Sequence, residues 1–485
     1  MLKKITKSSI LPYAFAFAIV IICAFPLFKM EYSTDTYHFA LQSNLGGITG
    51  AMIYNGRLLI FLAARLFELM GVKITGFYYI SFVMAICFSA LSVVLLFGML
   101  KQHMPSRLSF LLSLITILNP MCIEYFLFIE KGFFMLAVFL AVLSAKCFTL
   151  FLQGKHIHIL FSYLLLTLCA FTYQPICAVF ASLALVFILI YSRDIKKIFI
   201  NTLFAISVYG LGTFINFITM KSFDMTLRME SGINPSNIFK FLTFGLYFAP
   251  LLLVYVGVFL MLFICIFTHS KKRTGKAFTM ESLASALRYS FIIVGTICAT
   301  CAPCLFSLPE HVWFTLRFAY PIGTLVGTIP ILCNYRISYE EVKKEPKRLL
   351  PLFSCVLVLL MVLCHSFFFS RHITNDKDRQ DALTIGRLIQ EYENETGNKI
   401  TKVSVYFDKS VKSGFDGVVF LPNCNVRALT RSWCDVAHLS LILDKQFEKI
   451  ENKLTYSEYF SLFDFNNISK SNMIFEKDEL HLCVY

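Results

Sequence analysis

The sequence predicts a polytopic α-helical membrane protein of about eleven transmembrane helices, with the N-terminus in the cytoplasm and a small C-terminal α/β domain on the far side. Three observations carry that prediction. Composition is the first: of 485 residues, 57% are hydrophobic and 15% are charged, with a mean hydropathy of +0.69. A soluble globular chain carries about 25% charged residues, so a cytosolic enzyme and a disordered chain are both excluded. The second is the spacing of apolar runs. A span needs about 20 apolar residues, and eleven stretches qualify: 10–28, 76–100, 108–127, 132–152, 157–172, 175–191, 197–219, 239–268, 288–308, 318–333 and 349–370. The third is charge. The net charge is +14, yet 371–485 holds 15 Lys+Arg against 17 Asp+Glu. The basic excess therefore belongs to 1–370, where membrane topology explains it without nucleic acid.

The elements follow in order. Lys3, Lys4 and Lys7 precede the first apolar run, and no small-residue cleavage site follows it, so it reads as an uncleaved first span. With the N-terminus inside, the inner segments carry 19 Lys+Arg and the short outer loops carry 4. This asymmetry fixes the orientation. The first outer loop is long, about 29–75. Within it, 48–70 reads as an amphipathic helix at the outer interface. Arg57, Arg65 and Glu68 share one face, and Gly46, Gly47, Gly50 and Asn55-Gly56 punctuate its start. In the tail, 403–407 and 417–421 read as strands, 382–393 and 439–452 as helices, and 480–485 as a strand closing a sheet. A Cys424–Cys434 bridge is open in an oxidising outer compartment. Thirteen of the 16 cysteines lie in or beside apolar runs, as small hydrophobes do. Cys298, Cys301 and Cys304 are spaced by three, without an accompanying His or acid, so no metal site is expected there.

Residues able to do chemistry gather in the outer segments. Glu31, Asp35, Tyr37 and His38 lie just past the first span. An acid at that depth is within reach of a hydroxyl held against a membrane-anchored substrate, which suits a general base. Arg57 offers a planar fork for a phosphate. Glu124, Glu130 and Lys131 lie between the third and fourth spans, where ionisable groups are costly unless they face a cavity or one another. Tyr173-Gln174-Pro175 sits at a tight outer hairpin. Glu310, His311, Trp313 and Arg317 fall in a later outer loop, where Trp313 suits a sugar face or an interface anchor and Arg317 a phosphate. The inner loops hold no Gly-rich phosphate loop, no Walker lysine and no HExxH.

A first span followed at once by Tyr32-Ser-Thr-Asp35-Thr-Tyr37, then an interfacial segment with Asn55-Gly56-Arg57, many spans and an outer tail, resembles the serotype-converting O-antigen glucosyltransferases of bacteria and phages, particularly type II. More broadly, the layout is similar to the polytopic, GT-C-like glycosyltransferases that use polyprenyl-phosphate sugars. The resemblance implies a bacterial inner-membrane enzyme with a periplasmic active site. Its donor would be undecaprenyl-phosphate-glucose, supplied by a separate donor synthase and flippase. Its acceptor would be a hydroxyl of the lipopolysaccharide O-antigen. By analogy Asp35 is the base. Glu130 is the candidate for a second acid, Arg57, Lys131 and Arg317 are the candidates for the phosphate, and Tyr37, His38 and Trp313 are further candidates for binding the substrate. The wider superfamily often carries paired acids in this loop. Here Asp35 is followed by Thr36, so a divalent metal has no ligand pair and no cofactor is expected. Two rival readings are a lipid-linked saccharide flippase and an O-antigen polymerase or ligase.

Overall fold

The computed structural model describes residues 7–28, 33–41, 45–192, 194–222, 233–245, 280–309, 312, 314–340, 349–407, 426–451 and 467–484. Seven described helical stretches are long and apolar enough to cross a membrane, or up to eight if one bent pair is a single span. The architecture is that of a polytopic helical membrane protein. Large apolar side chains such as Phe199, Ile206 and Phe214 stand more than half exposed, as lipid-facing residues do.

The first span is α1 (Lys7–Ala24). Three short helices follow: α2 (Thr34–Leu41), α3 (Gly46–Tyr54) and α4 (Leu58–Leu69). The last two are joined by a turn at Asn55-Gly56, where Gly56 takes φ +68°. At 1.5 Å per residue the 12 residues of α4 reach only about 18 Å, too short to cross the bilayer. Segment 48–70 is therefore two short helices rather than the single amphipathic helix expected. Its outward positions Leu62, Leu66 and Leu69 are exposed and apolar.

Next come α5 (Ile74–Leu100), α6 (Ser106–Ile117), α7 (Ile123–Leu127), α8 (Lys131–Leu152), α9 (His158–Tyr173), α10 (Cys177–Tyr191), α11 (Ile195–Ser222) and α12 (Ser236–Gly245). The expected span 108–127 is broken. Asn119 caps a short turn by accepting from the Met121 amide, Pro120 interrupts the hydrogen-bond ladder, and the two halves bend by 42°. The helical run from His158 to Tyr191 folds back on itself at Tyr173-Gln174-Pro175. Cys177 Sγ lies 3.8 Å from Cys169 Sγ, whereas eight residues of straight helix span about 12 Å. Most of the expected span 239–268 lies outside the described residues.

The rest of the membrane part is α13 (Met280–Cys301), α14 (Leu316–Gly323) and α15 (Leu325–Glu340). The apolar stretch Leu316–Leu332 is shorter than a full span. Helix α16 (Leu349–Thr396) then runs 48 residues without a break, joining the expected last span to the expected tail helix. No Gly or Pro stands between 352 and 385 to stop it.

Among the described residues, the tail holds a four-stranded sheet of β1 (Lys402–Phe407), β2 (Glu448–Lys449), β3 (Met473–Glu476) and β4 (Glu479–Val484) in the order β2-β1-β4-β3. Strand β1 pairs in parallel with β2 and β4, and β3 runs antiparallel to β4. Ala382, Ile385, Leu388 and Ile389 of α16 pack on it, together with Val436 and Leu439 of α17 (Asp435–Leu443). Helix α17 ends where Asp444 turns left-handed at φ 49°. The expected helix 439–452 is corrected accordingly: its second half contains β2. Segment 417–421 and Cys424 lie outside the described residues, and Cys434 is a buried free thiol.

Ion pairs tie the tail to α16. Buried Arg427 donates to Asp378 at 2.7 Å and also to Asp381, while Asp378 accepts from the Ala428 amide at 2.6 Å. Arg371 donates to the Val426 carbonyl at 2.6 Å. His438 Nε2 lies 3.2 Å from the Asp378 carbonyl. Burial pushes the His438 imidazole below its ordinary pKa, against the opposing pull of Asp378. A neutral buried His binds fewer protons than the unfolded chain, so its contribution is intact above about pH 6.5 and is lost as pH falls through that value. Urea unfolding of the tail, followed by proteolysis between pH 7.5 and 5.5, is expected to show stability falling with acid, and His438→Gln is expected to flatten that slope.

Candidate functional site

The segments that the Lys/Arg count assigns to one side of the membrane do meet at one end of the bundle. Helix α8 begins there, held by a close crossing with α5. A Cβ on Gly132 would stand 2.5 Å from the Ser81 carbonyl oxygen, and the Gly132 amide donates to Ser81 Oγ at 2.9 Å. Gly132→Ala is expected to cost roughly 1–3 kcal/mol through overpacking, read as a lower thermal midpoint in detergent. Because this crossing sets the start of α8, it also sets Glu130 and Lys131.

Glu130 Oε1 accepts from Arg57 Nη1 at 2.9 Å across 73 residues of sequence, and both side chains are nearly buried. Its Oε2 is buried without a hydrogen-bond partner. The Arg57 guanidinium sits over the rings of Tyr173 at 5.0 Å and Phe134 at 5.5 Å. A second pair lies nearby. Arg317 Nε stands 3.2 Å from Glu124 Oε1, the Arg317 amide donates to Glu124 Oε2 at 2.9 Å, and the guanidinium covers Phe128 at 4.1 Å. Lys131 is fully buried, with its ammonium 3.6 Å from the centre of the Tyr78 ring.

Asp35 is half-buried in the first turn of α2, within coulombic range of Glu124 and Arg317. Helix α2 is fixed from two sides. Ser33 and Thr36 share a hydroxyl hydrogen bond of 2.8 Å at its start. The Tyr37 ring meets His438 of the tail edge-on at 4.5 Å.

Beside these pairs lies a cavity of about 510 Å³. Asn55, Gly56, Arg57, Tyr173, Gln174 and Pro175 form one wall; Tyr209, Phe214, Phe217 and Met220 of α11 form another; Ser307 and Phe318 contribute to a third. Gly56 is needed at that wall, because its φ is +68° and a Cβ there would run into the Met220 side chain. Most of the lining is apolar, and Phe214 is 54% exposed on the outer face of α11. Such a cavity opens beside a lipid-facing wall and suits a ligand with one apolar and one charged part.

Of the expected site residues, Arg57 lines the cavity. Glu130 holds Arg57, and Arg317 is next to Phe318 of the lining. Asp35, the expected base, does not line it, and neither do Lys131 and Tyr37, the last of which is buried against the tail. The His38 side chain lies outside the described residues, as do Glu31, Glu310, His311 and Trp313. The pairing of Glu124 with Arg317 and the place of Tyr173 beneath Arg57 go beyond the sequence reading. The only available signal was that ionisable groups in apolar surroundings need partners. Among the described residues, Glu476, Glu479 and His481 form the one group of three that could ligate a metal, and they belong to the tail.

The fold and the site define a helical membrane protein with a charged, cavity-bearing end. Comparison with protein-family models and with characterised proteins finds no match for the chain.

Proposed function

We propose that the chain is a GT-C-like glycosyltransferase that moves a sugar from a polyprenyl phosphate to a hydroxyl of a saccharide acceptor at the outer face of a bacterial inner membrane. On the resemblance of its layout, the sugar is glucose on undecaprenyl phosphate and the acceptor is O-antigen, as in serotype conversion. One observation carries the reading: among the described residues, an apolar cavity bears a single cationic lining residue, Arg57, at the end of the bundle where Asp35 also lies. The apolar walls accept the polyprenyl chain, and Arg57 meets the phosphate. Glu130 and the rings of Tyr173 and Phe134 hold the guanidinium in place, leaving further N–H donors for a ligand.

In the reaction, the acceptor hydroxyl oxygen bonds to the anomeric carbon while the bond from that carbon to the phosphate oxygen breaks. The phosphate leaves with the electron pair, and the hydroxyl proton passes to the Asp35 carboxylate. A single displacement inverts the anomeric carbon. The leaving phosphate gains a negative charge as the diester becomes a monoester, so nearby cations lower the barrier and no general acid is required. Arg57 is the nearest candidate, with Arg317 behind it. The tail, read as a small α/β domain, would cover the first loop and orient the acceptor.

Purified protein supplied with polyprenyl-phosphate glucose and lipid-linked O-antigen is expected to release polyprenyl phosphate and form an inverted glycosidic bond. Movement of the lipid between leaflets without a new glycosidic bond would make the protein a flippase. Joining of whole saccharide chains from a diphosphate donor would make it a polymerase or ligase. Arg57→Lys keeps the charge but loses the planar fork, and it is expected to raise KM for the donor about tenfold with a smaller change in kcat.

A further inference from the structure

Strands β3 and β4 form a hairpin whose register sets Glu476 directly opposite Glu479. Cross-strand partners share a face, and like charges placed so repel. His481 lies two positions along β4, on that same face. It is fully buried, and its Nδ1 stands 2.7 Å from Ser404 Oγ on β1. Its Nε2 is buried without a hydrogen-bond partner and lies 3.8 Å from a carboxylate oxygen of each glutamate. That separation is too long for a hydrogen bond.

It does fit ligation of a shared ion. Metal–nitrogen and metal–oxygen bonds of about 2.0–2.2 Å place two ligand atoms about 3.4 Å apart at a tetrahedral angle, within a few tenths of an ångström of each Nε2–carboxylate separation, and all three ligand atoms lie within 4.8 Å of one another. We propose that Glu476, Glu479 and His481 bind one divalent transition-metal ion of the zinc class, with a solvent oxygen completing the shell. Nδ1–H donation to Ser404 Oγ turns the Nε2 lone pair toward the two carboxylates, the usual arrangement behind a ligating imidazole. The ion neutralises the opposed glutamates and clips the hairpin to the centre of the sheet, because β4 is flanked by both β1 and β3.

The test uses the full-length protein in detergent, stripped with EDTA and titrated with Co²⁺. Ligand-field absorption then reports the donor set, and thiolate coordination to the many cysteines declares itself by a separate charge-transfer band. One Co²⁺ per chain with nitrogen and oxygen donors, displaced by Zn²⁺, is the expected result. Glu476 is 57% exposed, so Glu476→Gln leaves the fold intact and is expected to weaken Co²⁺ binding at least about tenfold. His481→Asn is expected to remove it. Equal binding by wild type and Glu476→Gln, no binding by either, or a thiolate spectrum alone would each overturn the site.

Discussion

Asp35→Asn is expected to lower transfer of sugar by about 10²- to 10⁴-fold, the range a positioned general base contributes. Asn has nearly the same shape, so donor binding and KM should change little and the loss should appear in kcat. The fold should not respond, because Asp35 is half-buried and α2 is fixed by the Ser33–Thr36 hydroxyl bond and by Tyr37 against His438. Asp35→Glu keeps a carboxylate and is expected to retain part of the rate. Full activity in the Asn variant, at normal expression, would move the base elsewhere. Glu130 would then be the next acid to test, since its Oε2 has no hydrogen-bond partner. That substitution is harder to read, because Glu130→Gln also weakens the hold on Arg57.

How much of this was legible in the sequence follows from which interactions are local. Apolar runs and Lys/Arg asymmetry are local signals, and they gathered Asp35, Arg57, Glu130, Tyr173 and Arg317 at one end before any contact was known. Breaks inside apolar runs were less legible. Asn119-Pro120 bends one expected span, whereas the tight hairpin expected at Tyr173-Gln174-Pro175 is there, with Cys177 packed back on Cys169. The opposite error occurred in the tail, where the expected span ended at 370 and the expected tail helix began at 382, although nothing in 371–381 stops a helix, and α16 continues through it. Asp444 was missed as a stop because a left-handed Asp leaves a weaker mark than Gly. The pairings Arg57–Glu130 and Glu124–Arg317 join residues 73 and 193 apart, by the backbone contact in the second case. A single sequence shows that such charges need partners, but not which ones they find.

Arg427→Ala is expected to release the tail from α16 at a cost of about 3–5 kcal/mol, the usual penalty for breaking a buried ion pair. Arg427 is 2% exposed and is shared by two carboxylates, of which Asp378 is fully buried. Removing the guanidinium leaves both acids in a dry interior. Lys377 meets Asp381 at 2.9 Å and so relieves one of them in part, while Asp378 keeps the Ala428 amide. Most of the penalty should therefore fall on Asp378. The double variant Arg427→Met, Asp378→Leu removes both charges and is expected to recover much of the stability, because well-packed apolar pairs often replace buried ion pairs without loss. Limited proteolysis of the tail and its thermal midpoint read out both effects. The same variants test how the tail serves the site. Residues Tyr37 and Cys434 share a buried cluster with Ala428, next to Arg427, so loosening Arg427 loosens the surface on which α2 rests. If transfer falls with tail stability in Arg427→Ala and returns in the double variant, the tail acts by holding Asp35 in position. If activity stays high while the tail is cut freely by protease, α2 keeps its place without it, and the base needs no support from that side.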